Sequence, residues 1–308
     1  MQVLFTLFPV FAVITLGAIL RKTNFVRAEF DKTLSELVYW VALPCLLFYN
    51  AAIADYEVAV AGRTVAVVFG GMIGSLILGY IVSTLLKLKP STRGVFVQGA
   101  FRGNLAYIGL PVVVCSFTET GNHAVGIAVV VVAIMVSCYN AAAITVLLSV
   151  QHKLEKKVVR QILQRMARNP LLLSCISGII YSLFFQNIPV PIGRTLSAIG
   201  QMSLPLALLC IGGTLVNEKI VKDVVKAAFI SSLIKIMGAP LIGYLMIRLI
   251  DIGEVEKRIA MIMLACPTAV SSHILAGQIG GDEKVSAAIV VISSTLSVIS
   301  LGVVVWLF

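Results

Sequence analysis

Few residues of this chain are equipped for chemistry, and most of those interrupt apolar runs. Arg102, Gly103, Asn104, Gly109 and Pro111 fall in one such run, and Pro267, Thr268, Ser271, Ser272 and His273 in another; Asn140 and Lys235 stand singly in two more. Asn104 can donate to a carboxylate or satisfy freed carbonyls. Arg102 and Lys235 are basic, and His273 is a candidate for a coupling proton because an unperturbed imidazole has a pKa of about 6.5. Proline lacks an N–H and its ring clashes one turn back, so Pro111 and Pro267 predict helix breaks, each followed by the start of a half-helix. A helix start exposes unpaired N–H groups and about half a positive charge. Two such starts facing each other favour an anion. The 14 acidic residues all lie between the apolar runs or at their edges. A basic site without a carboxylate suits a small carboxylate substrate.

Each residue also has a plainer role open to it. Arg102 and Lys235 lie about eight residues, roughly 12 Å, from the nearest end of their runs, within reach of snorkelling stems. Ser271 and Ser272 can bond locally to backbone, Asn140 can pack helices together, and Gly103 and Gly109 suit close backbone approach.

The elements that must position these residues are helices in a bilayer. The chain is 59% hydrophobic and 12% charged, against roughly 25% charged for soluble domains. Ten apolar segments have about the 20 residues a crossing needs: 2–20, 35–53, 64–86, 94–117, 123–149, 170–186, 192–216, 227–250, 258–279 and 285–308. Seventeen Lys and Arg residues fall in the odd-to-even connections, beginning with that between spans 1 and 2, and five in the others. The positive-inside rule puts the first set in the cytoplasm and both termini outside. The net charge of +10 is therefore topological, and nucleic-acid binding is not expected. The first run precedes its charges Arg21 and Lys22, so it reads as a span, not as a signal peptide. The cysteines lie in apolar stretches without a CxxC or Cys/His cluster, which suggests neither disulfides nor a metal site.

A basic segment, 151–169, divides the chain into five-span groups, 1–150 and 170–308. Because five is odd, the second group enters with opposite orientation. Leu43-Pro44 in span 2 matches Leu204-Pro205 in span 7, and Pro111 in span 4 matches Pro267 in span 9, at offsets of 161 and 156 residues. Inverted repeats with matching interrupted segments point to a secondary transporter.

The pattern Asn104-x4-Gly109-x-Pro111 resembles the auxin efflux carrier family, which includes plant auxin exporters and bacterial malate or malonate permeases. The stretch Ala265-Cys-Pro267-Thr-Ala-Val-Ser-Ser-His273, then Gly280-Gly281-Asp282 and Ser293-Ser294-Thr295, is similar to the bacterial members. The chain lacks the long central loop of many plant exporters, which points to a permease of a prokaryotic inner membrane. The resemblance implies an all-α integral membrane protein with broken, crossing helices 4 and 9, on a sodium/bile-acid-symporter-like or NhaA-like plan. It also implies a transport domain of spans 3–5 and 8–10, a dimerising scaffold of spans 1, 2, 6 and 7, and elevator-like alternating access. The substrate would be malate, malonate or an auxin-like indole acid. It would meet Arg102, Asn104, Gly109, Pro111, Asn140, Pro267, Thr268, Ser271, Ser272 and His273, with Lys235 or His273 in coupling or gating.

No cofactor is expected, and H+ or Na+ are the candidate coupling ions. A cation/proton antiporter would need membrane carboxylates that the span interiors lack. A non-transporting sensor would be expected to carry a signalling domain, and the loops here are short. No GxSxG, HExxH or P-loop suggests an enzyme.

Overall fold

The computed structural model describes residues 2–53, 58–117, 121–150, 160, 164, 167–185, 187–217 and 224–308. Most of the predicted basic segment 151–169 lies outside them. Among the described residues every regular element is helical. In chain order these are α1 (Gln2–Lys22), α2 (Ala28–Leu37), α3 (Leu43–Ile53), α4 (Val58–Leu85), α5 (Pro90–Phe101), α6 (Leu110–Ser116) and α7 (Gly121–Val150). They continue with α8 (Pro170–Phe184), α9 (Val190–Asn217), α10 (Val225–Leu233), α11 (Ala239–Ile247), α12 (Glu254–Ala265), α13 (Ser271–Ile279) and α14 (Glu283–Leu307). Six helical stretches are long and apolar enough to cross a membrane: Thr33–Ile53, Val60–Leu85, His123–Val150, Val190–Val216, Val225–Ile247 and Glu283–Leu307.

Helix ends follow local chemistry. Pro90 opens α5 and Pro170 opens α8, where a missing N–H costs nothing. The Asn169 side chain caps α8 by accepting from the Leu171 N–H at 2.9 Å. Gly280, at φ 84°, ends α13 in the left-handed region that favours glycine, and Asp282 caps α14 by accepting from the Val285 N–H.

Three π-helical turns, Val38–Ala42, Leu105–Gly109 and Ile234–Gly238, each end two residues before a proline: Pro44, Pro111 and Pro240. In each, the residue before the proline donates its N–H five residues back, as Leu110 does to the Leu105 carbonyl. The widened turn moves the carbonyl that the proline ring would strike and absorbs the missing donor. Pro111 is thus carried inside a continuous turn and does not break its helix as its sequence suggested. Pro205 sits within α9 without such a turn.

Helix α1 packs along α9, and α3 packs against α8 and α9. Glycines let these backbones approach: a Cβ on Gly17 would strike the Leu209 backbone, one on Gly212 the Ile14 carbonyl, and one on Gly178 the Phe48 carbonyl. Close approach of small residues suits helices in lipid, where apolar side chains gain little by leaving the solvent. Helix α7 is the most enclosed of the long helices, with Ile127–Ala133 buried almost throughout. It packs against α4, α5 and α13 and so forms one wall of the site below.

Candidate substrate site

Among the described residues the chain leaves helical geometry within two buried stretches, Arg102–Asn104 and Cys266–Val270. The first break follows α5, where Arg102 is extended (φ −77°, ψ 103°). At the second, Cys266 (φ −60°, ψ 145°) precedes Pro267, which disfavours helical geometry in the residue before it. The two breaks meet in an antiparallel bridge between Gly103 and Thr268. The Asn104 N–H donates to the Pro267 carbonyl at 2.8 Å, and the Ala269 N–H donates to the Arg102 carbonyl at 3.1 Å. The Thr268 hydroxyl donates to the Gly99 carbonyl at 2.8 Å, while its N–H donates to Ser293 Oγ at 3.1 Å. Each break therefore satisfies backbone groups that the other frees, as a water-poor interior requires.

This geometry corrects the expected match of Pro111 with Pro267. The bridge pairs Thr268 with Gly103, eight positions before Pro111. The half-helix after the first break starts at Leu105, so Pro111 lies beyond the crossing, whereas Pro267 lies within it.

Alternation along the extended segment sends Arg102 and Asn104 one way and Gly103 the other. Arg102 is 5% exposed, and its Nη2 donates to Asn140 Oδ1 at 2.5 Å and to Ser271 Oγ at 3.0 Å. Its Nη1 and the Nδ2 of Asn104 are buried without a hydrogen-bond partner. Both residues line a cavity of about 330 Å³ together with Tyr107, Tyr139, Asn140 and Ser271. A second cavity, of about 660 Å³, shares Tyr39, Arg102, Asn140 and Ser271 with the first and extends to Gln164, Arg168, Asn169 and Gln278. Arg102 thus stands where the inner pocket meets the vestibule.

Of the residues singled out in the sequence, Arg102, Gly103, Asn104, Asn140 and Ser271 converge on this site. Gly109, Pro111, Pro267, Thr268, Ser272 and His273 do not line either cavity. Thr268 instead ties the crossing together, and Gly109 lets Met263 and Cys266 approach, since a Cβ there would lie 2.8 Å from Met263 Sδ. Lys235 also does not line either cavity. It is fully buried on the Gly103 side, with Nζ donating to the Leu264 carbonyl at 2.6 Å, so its stem does not snorkel.

Sequence reasoning missed the aromatic and amide wall opposite Arg102. The Tyr107 hydroxyl donates to the Ser35 carbonyl at 3.3 Å. Asn169 Nδ2 donates to Ser137 Oγ at 2.8 Å, and Tyr39 donates to Asn169 Oδ1 at 3.4 Å. The Asn169-Pro170 pair, a cap followed by a first-turn proline, was the signal available for one of them.

Positive character dominates the centre. The buried charged residues among those described are Arg102, Lys235 and Glu256, and Glu256 lies in the first turn of α12, 3.9 Å from His123. Ten residues separate Glu256 from Cys266, about 15 Å of helix. The half-helix starting at Leu105 and α13 starting at Ser271 both point their N-terminal ends at the crossing. The assembly offers an anion two unpaired donors, one of them on a guanidinium, and two helix starts.

These features, polar groups converging on a crossing of interrupted apolar helices, describe a membrane transport protein. The family model described as "Membrane transport protein" matches residues 2–305, and the chain belongs to that family, the auxin efflux carriers. The chain is 24% identical over 290 residues to an "Uncharacterized transporter" of Methanocaldococcus jannaschii, covering 91% of each protein. It is 23% identical over 299 residues to the "Putative malonate transporter" of Rhizobium meliloti, covering 94% of this chain and 91% of the relative. It is also 24% identical over 322 residues to the "Lysosomal cholesterol signaling protein" of Mus musculus; the match covers 96% of this chain and 36% of the mouse protein.

Proposed function

We propose that the chain is a secondary transporter of a small organic anion, a carboxylate of the malate, malonate or indole-acid kind. The observation that carries this reading is the pair of unpartnered donors, Arg102 Nη1 and Asn104 Nδ2, in one buried cavity at the crossing. A carboxylate has two oxygens to accept from both, and its charge offsets the cost of burying the guanidinium. The relative named as a malonate transporter agrees with that choice.

In this reading ten helical segments, four of them formed by helix pairs, cross the membrane as two inverted groups of five. Helices α4–α7 and α10–α14 move as the transport domain against a dimeric scaffold of α1–α3, α8 and α9. The charge pattern supports an orientation with both termini outside, and the prokaryotic relatives support an inner-membrane location. The vestibule then opens to the cytoplasm, and an elevator-like shift of the crossing carries the anion outward.

The test is uptake of radiolabelled malonate, malate and indole acetate into liposomes holding the purified protein. Saturable uptake of one of them, abolished by Arg102→Gln at unchanged melting temperature, is expected. Uptake indifferent to Arg102→Gln refutes the site.

A further inference from the structure

Lys235 is a fully buried charge that the proposed anion site does not use. Its surroundings give it another task. Helix α12 ends at the crossing, and the last four carbonyls of a helix have no partner within it. Three of those four receive side-chain donors: Ile262 from Cys266 Sγ at 3.2 Å, Leu264 from Lys235 Nζ at 2.6 Å and Ala265 from Ser300 Oγ at 2.9 Å. Such an end also carries about half a negative charge. In other membrane transporters, ends of interrupted helices coordinate the coupling cation. Here the position is held by an ammonium tethered to the neighbouring π-helical turn.

The other half-helix end is built differently. Of the last carbonyls of α5, Gly99 receives the Thr268 hydroxyl and Gln98 the Arg102 N–H, both neutral donors. The backbone opposite Lys235 is glycine: a Cβ on Gly103 would lie 3.4 Å from Lys235 Cε and 3.6 Å from Nζ. The ammonium thus bonds the end of α12 and faces the first break across the space a Gly103 side chain would take.

We propose that Lys235 is the resident cation of the crossing, a positioning residue that neutralises the end of α12 in place of a bound sodium ion. Transport through this site then needs no sodium. Only that last consequence rests on the transporter reading; the occupancy of the helix end does not.

Two measurements on the purified full-length protein test it. The first is thermal unfolding. Lys235→Ala leaves the helix end uncovered and opens room for a small cation, so its melting temperature falls, and ethylammonium or sodium raises it again with saturation, as ligand binding to the native state must. The wild-type protein and Lys235→Arg show no such rise. The second is uptake at clamped membrane potential with sodium replaced by N-methylglucammonium. Wild-type uptake stays unchanged, while Lys235→Ala loses roughly ten-fold and recovers with ethylammonium. A saturable sodium response of the wild-type melting temperature or uptake overturns the proposal, as does a Lys235→Ala protein that neither cation stabilises. If no anion is taken up at all, the transporter reading fails, and the thermal measurement still decides the role of Lys235.

Discussion

At the residue scale, the argument turns on donors left over after the protein's own hydrogen bonds are made. Arg102 spends one nitrogen on Asn140 and Ser271 and keeps Nη1 free. Asn104 keeps its Nδ2. Removing a neutral donor costs about 1 kcal/mol, so Asn104→Ala weakens anion binding roughly five-fold, measured by calorimetry or thermal shift. Arg102→Gln removes a charge-assisted contact of about 1.5–3 kcal/mol and weakens binding roughly 10- to 100-fold. Arg102→Lys restores little, because a point-like ammonium cannot hold Asn140, Ser271 and a carboxylate in one fork. These four residues were legible in the sequence because a polar group inside an apolar run demands a partner. Tyr39, Tyr107 and Tyr139 were not. A tyrosine in a membrane helix has an apolar body, and its use depends on which way the helix faces.

At the element scale, the sequence located the helices well and one of the two breaks. Pro267 marks its break because it constrains Cys266. Pro111 misled, because a π turn absorbs a proline at no visible cost in hydrogen bonds. The first break instead falls at Arg102–Asn104, where long-range pairing with residues 267–269 supports extended backbone. Local propensity does not report such a partner. Close helix approach makes a further prediction. A Cβ at Gly212 would press on the Ile14 carbonyl and lie 2.7 Å from the Ala18 nitrogen, and backbone cannot swing aside as a side chain can. Gly212→Ala therefore forces α1 away from α9 and destabilises the fold by about 1–3 kcal/mol, read as a lower melting temperature in detergent. Gly62→Ala, with open space around it, leaves that temperature unchanged.

At the scale of the whole molecule, the paired interruptions and the charge pattern pointed to an inverted repeat, the resemblance to the auxin efflux carriers implied that its broken helices cross, and the Gly103–Thr268 bridge shows two breaks meeting. What the sequence hid was the offset between them, since matching prolines suggested equivalent positions that pairing does not respect. The proposed orientation has a direct check. Gln278 lines the vestibule; placed as Gln278→Cys in a protein whose six native cysteines are replaced, it should react with a membrane-impermeant maleimide in inside-out vesicles only. Labelling in right-side-out vesicles alone reverses the orientation. The bridge also has a consequence for biosynthesis. Some 165 residues separate its partners, and at 5–20 residues per second the ribosome needs roughly 8–30 s to supply the second after the first. During that interval Arg102–Asn104 must stay beside water or the insertion machinery, because lipid offers its backbone nothing. A nascent chain halted before Thr268 should therefore remain crosslinkable to the translocon through position 104 and be released once the second break emerges.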